Sequence, residues 1–266
     1  MASASRTTSS DVFAQRFARL RAERRRALVV YLTAGHPDAD RSLALVRGVA
    51  QSGADVIEVG LPFSDPLADG PIIQASSQRA LDAGMTFDGA LELIKRARVD
   101  VPIVLFTYLN PLLAGGPTAL ERASRSGVHG LLVTDLPVGA DPELEAQLGA
   151  GPLAYIRLVA PTTPTERMAE IARHGRGFVY LISRLGVTGI RDELSAELPA
   201  TVARLRSVTS LPICVCFGIA RPEQAAAVSQ IADGVVVGSA VVREASSSVE
   251  GAMRLVRELR EGMDRA

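Results

Sequence analysis

Eight short apolar runs recur along this chain, and a helical pattern follows each. The runs are Ala27 to Thr33, Asp55 to Val59, Pro102 to Phe106, Gly130 to Thr134, Ala154 to Val159, Gly177 to Ile182, Pro212 to Phe217 and Gly234 to Val237. Ala/Leu/Arg-rich helical stretches lie between them, among them Asp40 to Ser52, Thr118 to Ser126, Pro164 to His174 and Arg221 to Ala232. Asp38 after Pro37 and Thr163 before Pro164 carry helix-start chemistry. Strands apolar along their whole length belong to a parallel sheet covered on both faces. The number and length of the strands predict a single (β/α)8 barrel of the TIM type, an α/β fold, rather than an open doubly wound sheet. No glycine-rich dinucleotide fingerprint follows the first strand. A further helix, Val12 to Arg26, precedes strand one and is placed to cover the barrel floor. The expected division is a flexible tail over residues 1–10 and one catalytic barrel domain over residues 11–266, with no linker inside it.

Charge narrows the function. The 29 basic and 29 acidic residues cancel, so nothing marks a surface for nucleic acid or anionic membrane. No apolar run reaches the ~20 residues of a membrane span, and a cytoplasmic location is expected. Cys214 and Cys216 alternate on one strand, a spacing that strains a disulfide.

In a parallel barrel the chemistry sits where strands end and the following loops begin. Strand two ends at Glu58, and alternation puts Val56 and Glu58 on one face, Ile57 and Val59 on the other. A carboxyl at the mouth of an apolar barrel has a raised pKa and can deliver a proton near neutral pH. A structural ion pair with an Arg from a neighbouring strand fits the residue equally well. The loop that follows is stiffened by Pro62, Pro66 and Pro71, with Gly60 and Gly70 allowing unusual backbone angles. Asp65 and Asp69 lie in it, and loop Asp residues ordinarily serve backbone amides in turns.

Two small-residue loops close the chain's last two strands, Cys216-Phe217-Gly218-Ile219 and Val237-Gly238-Ser239-Ala240. Tight turns alone would explain them, but barrels of this kind bind phosphate after strands seven and eight, and that reading is preferred. The loop Ser183 to Arg191 exceeds the ~2–6 residues usual for such connections, which marks a lid with Gly186 and Gly189 as hinges rather than an idle insertion.

The blocks Tyr31-Leu32-Thr33-Ala34-Gly35-His36-Pro37, Glu58 to Gln74, Tyr108-Leu109-Asn110-Pro111, Asp135-Leu136-Pro137, Tyr180-Leu181-Ile182-Ser183-Arg184 with Gly186 to Gly189, and the two glycine loops occur in this order. In that order they resemble the tryptophan synthase α subunit, the lyase that splits indole-3-glycerol phosphate, from Asp11 through the last helix. The resemblance implies that Glu58 is the catalytic acid/base and that Asp69 holds the indole N–H. It places Tyr180 beside Glu58, and Tyr31, Phe106 and Tyr108 around the indole ring. Thr188, Gly189, Gly218, Gly238 and Ser239 fall at substrate- and phosphate-binding positions, and Asp65 is left as a loop-shaping residue. Cys216 stands where the family commonly has glycine, and His36 where it frequently has Asp.

The expected reaction is a cofactor-free retro-aldol cleavage. A Schiff-base aldolase needs an active-site lysine, and Lys95, the sole lysine, falls in a helical stretch. A metal aldolase needs clustered ligands, and His36, His129 and His174 are scattered. The resemblance further implies a pyridoxal-phosphate β subunit as partner in an α2β2 heterotetramer, with no metal and no pyridoxal phosphate in this chain. The Tyr108-Asn110 and Asp135-Pro137 loops would face that subunit. Alternatives are a phosphosugar isomerase or epimerase, a stand-alone indole-releasing lyase, and a catalytically silent activator of the β subunit.

Overall fold

Each apolar run hydrogen-bonds in parallel to the next, and the eighth returns to the first, so the sheet closes. A computed structural model describes residues 9–182, 196–216 and 218–266. Its strands are β1 (Ala27–Thr33), β2 (Val56–Gly60), β3 (Ile103–Thr107), β4 (Gly130–Val133), β5 (Ala154–Val159), β6 (Val179–Ile182), β7 (Ile213–Cys216) and β8 (Gly234–Val237). All fall within two residues of the expected runs.

The helices among the described residues are α1 (Ser9–Ala22), α2 (Ala39–Gln51), α3 (Pro71–Asp82), α4 (Phe87–Ala97), α5 (Leu109–Ala114), α6 (Ala119–Arg125), α7 (Pro142–Ala150), α8 (Thr165–Arg173), α9 (Leu198–Arg206), α10 (Pro222–Ser229), α11 (Ser239–Ser247) and α12 (Val249–Asp264). Asp38 caps α2 as expected, its carboxylate accepting from Arg41 N–H at 2.8 Å. Thr163 does not cap α8. Pro164 holds that position, and the Thr163 hydroxyl accepts from Ala160 N–H instead. The first helix begins earlier than the sequence suggests, at Ser9, so the last two positions assigned to the tail are helical.

The two faces of the sheet are packed differently. Outward residues such as Leu28, Val30, Ile57, Val59, Ile103 and Leu105 join the helices in one large apolar cluster. Inward residues, including Val29, Val56, Val104, Leu132, Ile156, Tyr180 and Cys214, form a second cluster. The floor is closed by α1: Phe13 and Phe17 pack against Phe178 with ring centroids 5.8 and 5.9 Å apart. Phe13 fits because Gly130 is bare; a Cβ there would lie 3.0 Å from the phenyl ring. The wall below is thereby filled with carbon, and polar chemistry is confined to the opposite end, the mouth.

Candidate active site

Four carboxyl side chains are buried among the described residues: Asp55, Glu58, Asp69 and Glu145. Ionised carboxylates inside a protein need a cation or several hydrogen bonds. Asp55, at the floor end of β2, accepts from Leu28 N–H at 3.0 Å and pairs with Arg260 at 3.2 Å. Glu145 pairs with Arg157, whose guanidinium also lies 3.9 Å from the centroid of the Tyr155 ring. The other two have no such partner among the described residues, and both belong to the mouth.

Glu58 is fully buried, and neither carboxyl oxygen has a hydrogen-bond partner among the described residues. The structural ion pair that the sequence left open is therefore not made with any described arginine. Desolvation pushes its pKa up to about 8, so the side chain carries a proton at neutral pH. It is inward-facing as alternation predicts: Val56 belongs to the interior cluster, while Ile57 and Val59 face the helices.

Asp69 sits at the end of the β2–α3 loop, whose backbone is pinned by Asp69 N–H to Pro66 C=O at 3.0 Å and by Gln74 Nε2 to Asp69 C=O at 2.9 Å. Burial raises its pKa to about 6, opposed by a hydrogen bond donated by the Tyr108 hydroxyl at 3.0 Å. Glu58 and Asp69 thus hold opposite protonation states near pH 7. Both carboxyl groups lie close enough to the Tyr31 hydroxyl to raise its pKa when ionised, which places them around one aromatic cluster.

That cluster contains the aromatic residues the sequence singles out. Tyr31 meets Phe106 edge to face at 5.3 Å, and Phe106 meets Tyr180 at 6.3 Å. Tyr180 lies close enough to Glu58 for the carboxylate to raise its pKa, and its hydroxyl is hydrogen-bonded to the Cys216 thiol. Burial drives that thiol up to about 12, so Cys216 is an inert neighbour of Tyr180 rather than a thiolate. Tyr108 stands at the start of α5 with the ring of Phe63 tilted against it, centroids 5.2 Å apart.

Gly238 caps the N-terminus of α11 and Ser239 opens it. No acidic residue occupies the first turn, so its free amides and the positive end of the helix dipole are open to an anion. Gly238 packs on Tyr31, where an added Cβ would lie 3.4 Å from Tyr31 Cβ, which puts this helix end at the aromatic cluster. Gly218 follows β7 at the same end of the barrel. Thr188 and Gly189, with the rest of the Ser183 to Arg191 loop, lie outside the described residues.

The remaining polar residues that the sequence raised lie elsewhere. Lys95 is exposed in the last turn of α4, which leads to the floor end of β3. His129 precedes β4 and His174 ends α8, both at the floor, whereas His36 follows β1 at the mouth. His36 is buried, and its Nε2 lies 2.9 Å from Ser246 Oγ, tying the β1 loop to α11. Burial and Arg79 hold its pKa down.

Two residues were given no role by the sequence reading, and a third was given a different one. Ile73 of α3 and Val242 of α11 pack with Tyr31 over the mouth; Ile73 lies within the Glu58 to Gln74 block but was not singled out there. Gly60 was read for backbone freedom, but neither it nor Gly70 has a positive φ. A Cβ on Gly60 would lie 2.0 Å from Tyr31 Oη. The glycine is there to admit the phenol.

A closed parallel barrel with a protonated carboxyl and an ionised one at its mouth, beside an anion-receptive helix end, defines a barrel enzyme of the acid–base type. Comparison with known proteins makes this specific. The sequence profile of the family described as "Tryptophan synthase alpha chain" matches residues 17–265. The tryptophan synthase alpha chain of Gluconacetobacter diazotrophicus is 49% identical over 246 residues, covering 89% of this chain and 88% of the relative. That of Desulfatibacillum aliphaticivorans is 44% identical over 255 residues, 94% of this chain and 96% of the relative. Among solved structures, Mycobacterium tuberculosis tryptophan synthase superposes with a TM-score of 0.88 at 35% identity, covering 94% of this chain and 97% of that one. This chain belongs to the tryptophan synthase alpha chain family.

Proposed function

We propose that Glu58 and Asp69 perform the cleavage of indole-3-glycerol phosphate as a matched proton donor and charge stabiliser. Family membership makes the chain a lyase of tryptophan biosynthesis. The observation that supports these roles is the contrast among its buried carboxyls: two are paired with arginine, while Glu58 is bare and protonated and Asp69 is largely ionised.

The retro-aldol reaction needs that pair of states. Glu58 gives its proton to indole C3, and the positive charge that develops on the ring nitrogen is stabilised by the Asp69 carboxylate. Glu58, now ionised, removes the hydroxyl proton from the carbon attached to C3. The carbon–carbon bond breaks, its electrons return to the ring, and indole and glyceraldehyde 3-phosphate leave. Glu58 ends as it began. Tyr31, Phe106 and Tyr108 surround the ring with Tyr180 beside Glu58; Gly189, Gly218, Gly238 and Ser239 receive the phosphate, and Thr188 contacts the substrate. No lysine, metal or pyridoxal phosphate of this chain enters the scheme.

Tryptophan synthase structures among the relatives imply a β partner. We assign the assembly as an α2β2 heterotetramer in the cytoplasm, with pyridoxal phosphate in the β subunit, and residues 11–266 as one catalytic domain. No helix among the described residues is long and apolar enough to cross a membrane. The test is indole release from indole-3-glycerol phosphate by the purified chain, with and without a tryptophan synthase β subunit. Slow release that rises sharply with β is expected, and Glu58→Gln is expected to abolish it with β still bound. Fast release without β would make the chain a stand-alone lyase. No release in either condition would overturn the catalytic assignment.

A further inference from the structure

We infer that Tyr108 is a positioning residue for Asp69: its hydroxyl, oriented by the amide of Ala68, gives its only proton to Asp69 Oδ2 and leaves Oδ1 to the indole N–H. This rests on the Asp69 role proposed above and goes beyond a place for Tyr108 in the ring pocket.

A phenol has one hydrogen and two lone pairs. Ala68 N–H donates to Tyr108 Oη at 3.0 Å, which fills one lone pair from the loop side. Tyr108 Oη lies 3.0 Å from Asp69 Oδ2, so the hydroxyl hydrogen points there. One side chain therefore clamps two consecutive loop residues, the backbone of Ala68 and the carboxyl of Asp69. The phenol itself is fixed: it is buried, packed against the tilted ring of Phe63, and followed by Leu109, whose N–H donates to Asp135 Oδ1 at 2.7 Å. The position of Asp69 is set through this chain from the loop after β4.

The clamp also governs charge. The titratable groups around the carboxyl are Tyr108 before α5, Tyr31 on β1, Tyr180 on β6 and Glu58 on β2, with Asp135 behind Tyr108. None of these described groups is a cation. Against burial, the Tyr108 hydrogen bond is the interaction that favours the ionised carboxylate.

The experiment is a 13C NMR titration of the side-chain carboxyl of Asp69 in the full chain without substrate, its signal assigned by Asp69→Asn. Tyr108→Phe is expected to raise the midpoint by about one pH unit, the order of effect of one hydrogen bond to a carboxylate. Its kcat/KM should fall more at pH 6 than at pH 8. Replacement of Tyr108 by 3-fluorotyrosine, a better donor of the same shape, should lower the midpoint. A role in packing alone predicts no such opposite movements. If Asp69→Asn loses indole release but neither Tyr108 replacement moves the midpoint, the positioning role is overturned and the Asp69 assignment stands. If Asp69→Asn releases indole normally, the Asp69 assignment itself has failed, and Tyr108 loses its proposed purpose with it.

Discussion

The hydroxyl of Tyr31 occupies the space above Gly60 that any side chain would need: an added Cβ would fall 2.0 Å from Oη and 2.5 Å from Cζ. Tyr31 is level with Glu58 across the β1–β2 ladder, so Gly60, two pairs further up, sets how the phenol leans over the mouth toward Phe106. Gly60→Ala should displace the ring and lower kcat/KM by roughly ten- to a hundredfold, as a shift of about 1 Å at a site does. The check is a double-mutant cycle with Tyr31→Ala. Strongly non-additive losses are expected because the two residues share one space; additive losses would show that the contact does not matter.

In the role proposed for it, Glu58 serves reaction at the expense of stability. Its folded pKa of about 8 lies above its ordinary value of 4.5. Between those values the folded state holds the proton and the unfolded state does not, so stability falls as pH rises through that window. Glu58→Gln, which cannot ionise, should be more stable than the parent by roughly 3 kcal/mol at pH 7 and by little at pH 4. Urea unfolding of both proteins across pH 4–8 measures this, and a pH-independent difference would contradict it.

The two carboxyls also predict the pH dependence of catalysis. The proposed mechanism requires Asp69 ionised and Glu58 protonated, so kcat/KM should rise through about pH 6 and fall through about pH 8. The alkaline limb is the cleaner readout, because the substrate phosphate also titrates near the acid limb, at about pH 6. A profile flat from pH 7 to pH 9.5 would exclude Glu58 as the donor.

Arg260 tests the opposite kind of buried carboxyl. It reaches from α12 to Asp55 and to the Arg26 carbonyl at 2.8 Å, holding the C-terminal helix on the barrel floor. Arg260→Met leaves Asp55 buried without its cation and should cost roughly 3–5 kcal/mol. Turnover of the folded fraction should be unchanged, since this pair lies at the end of β2 remote from Glu58. Thermal unfolding alongside activity at low temperature separates the two effects.

Much of this protein was legible in the sequence because the signals are local. Eight apolar runs with helical spacers dictate a closed parallel barrel, and the two-residue period of a strand aims Glu58 inward with no knowledge of what surrounds it. The family motifs then mark Asp69, Tyr180 and the glycine loops. What the sequence left undecided depends on residues far apart in the chain. A buried carboxylate is structural or catalytic according to its neighbours, and those come from other strands and helices: Asp55 meets Arg260 of α12, while Glu58 of the same strand region meets apolar and aromatic groups. The need for glycine at position 60 comes from a phenol on the adjacent strand. The hydrogen bond from Tyr108 to Asp69 spans 39 residues of sequence. Periodicity fixes the direction of a side chain, but only the packed barrel decides which groups share a dielectric environment, and hence which acid keeps its proton.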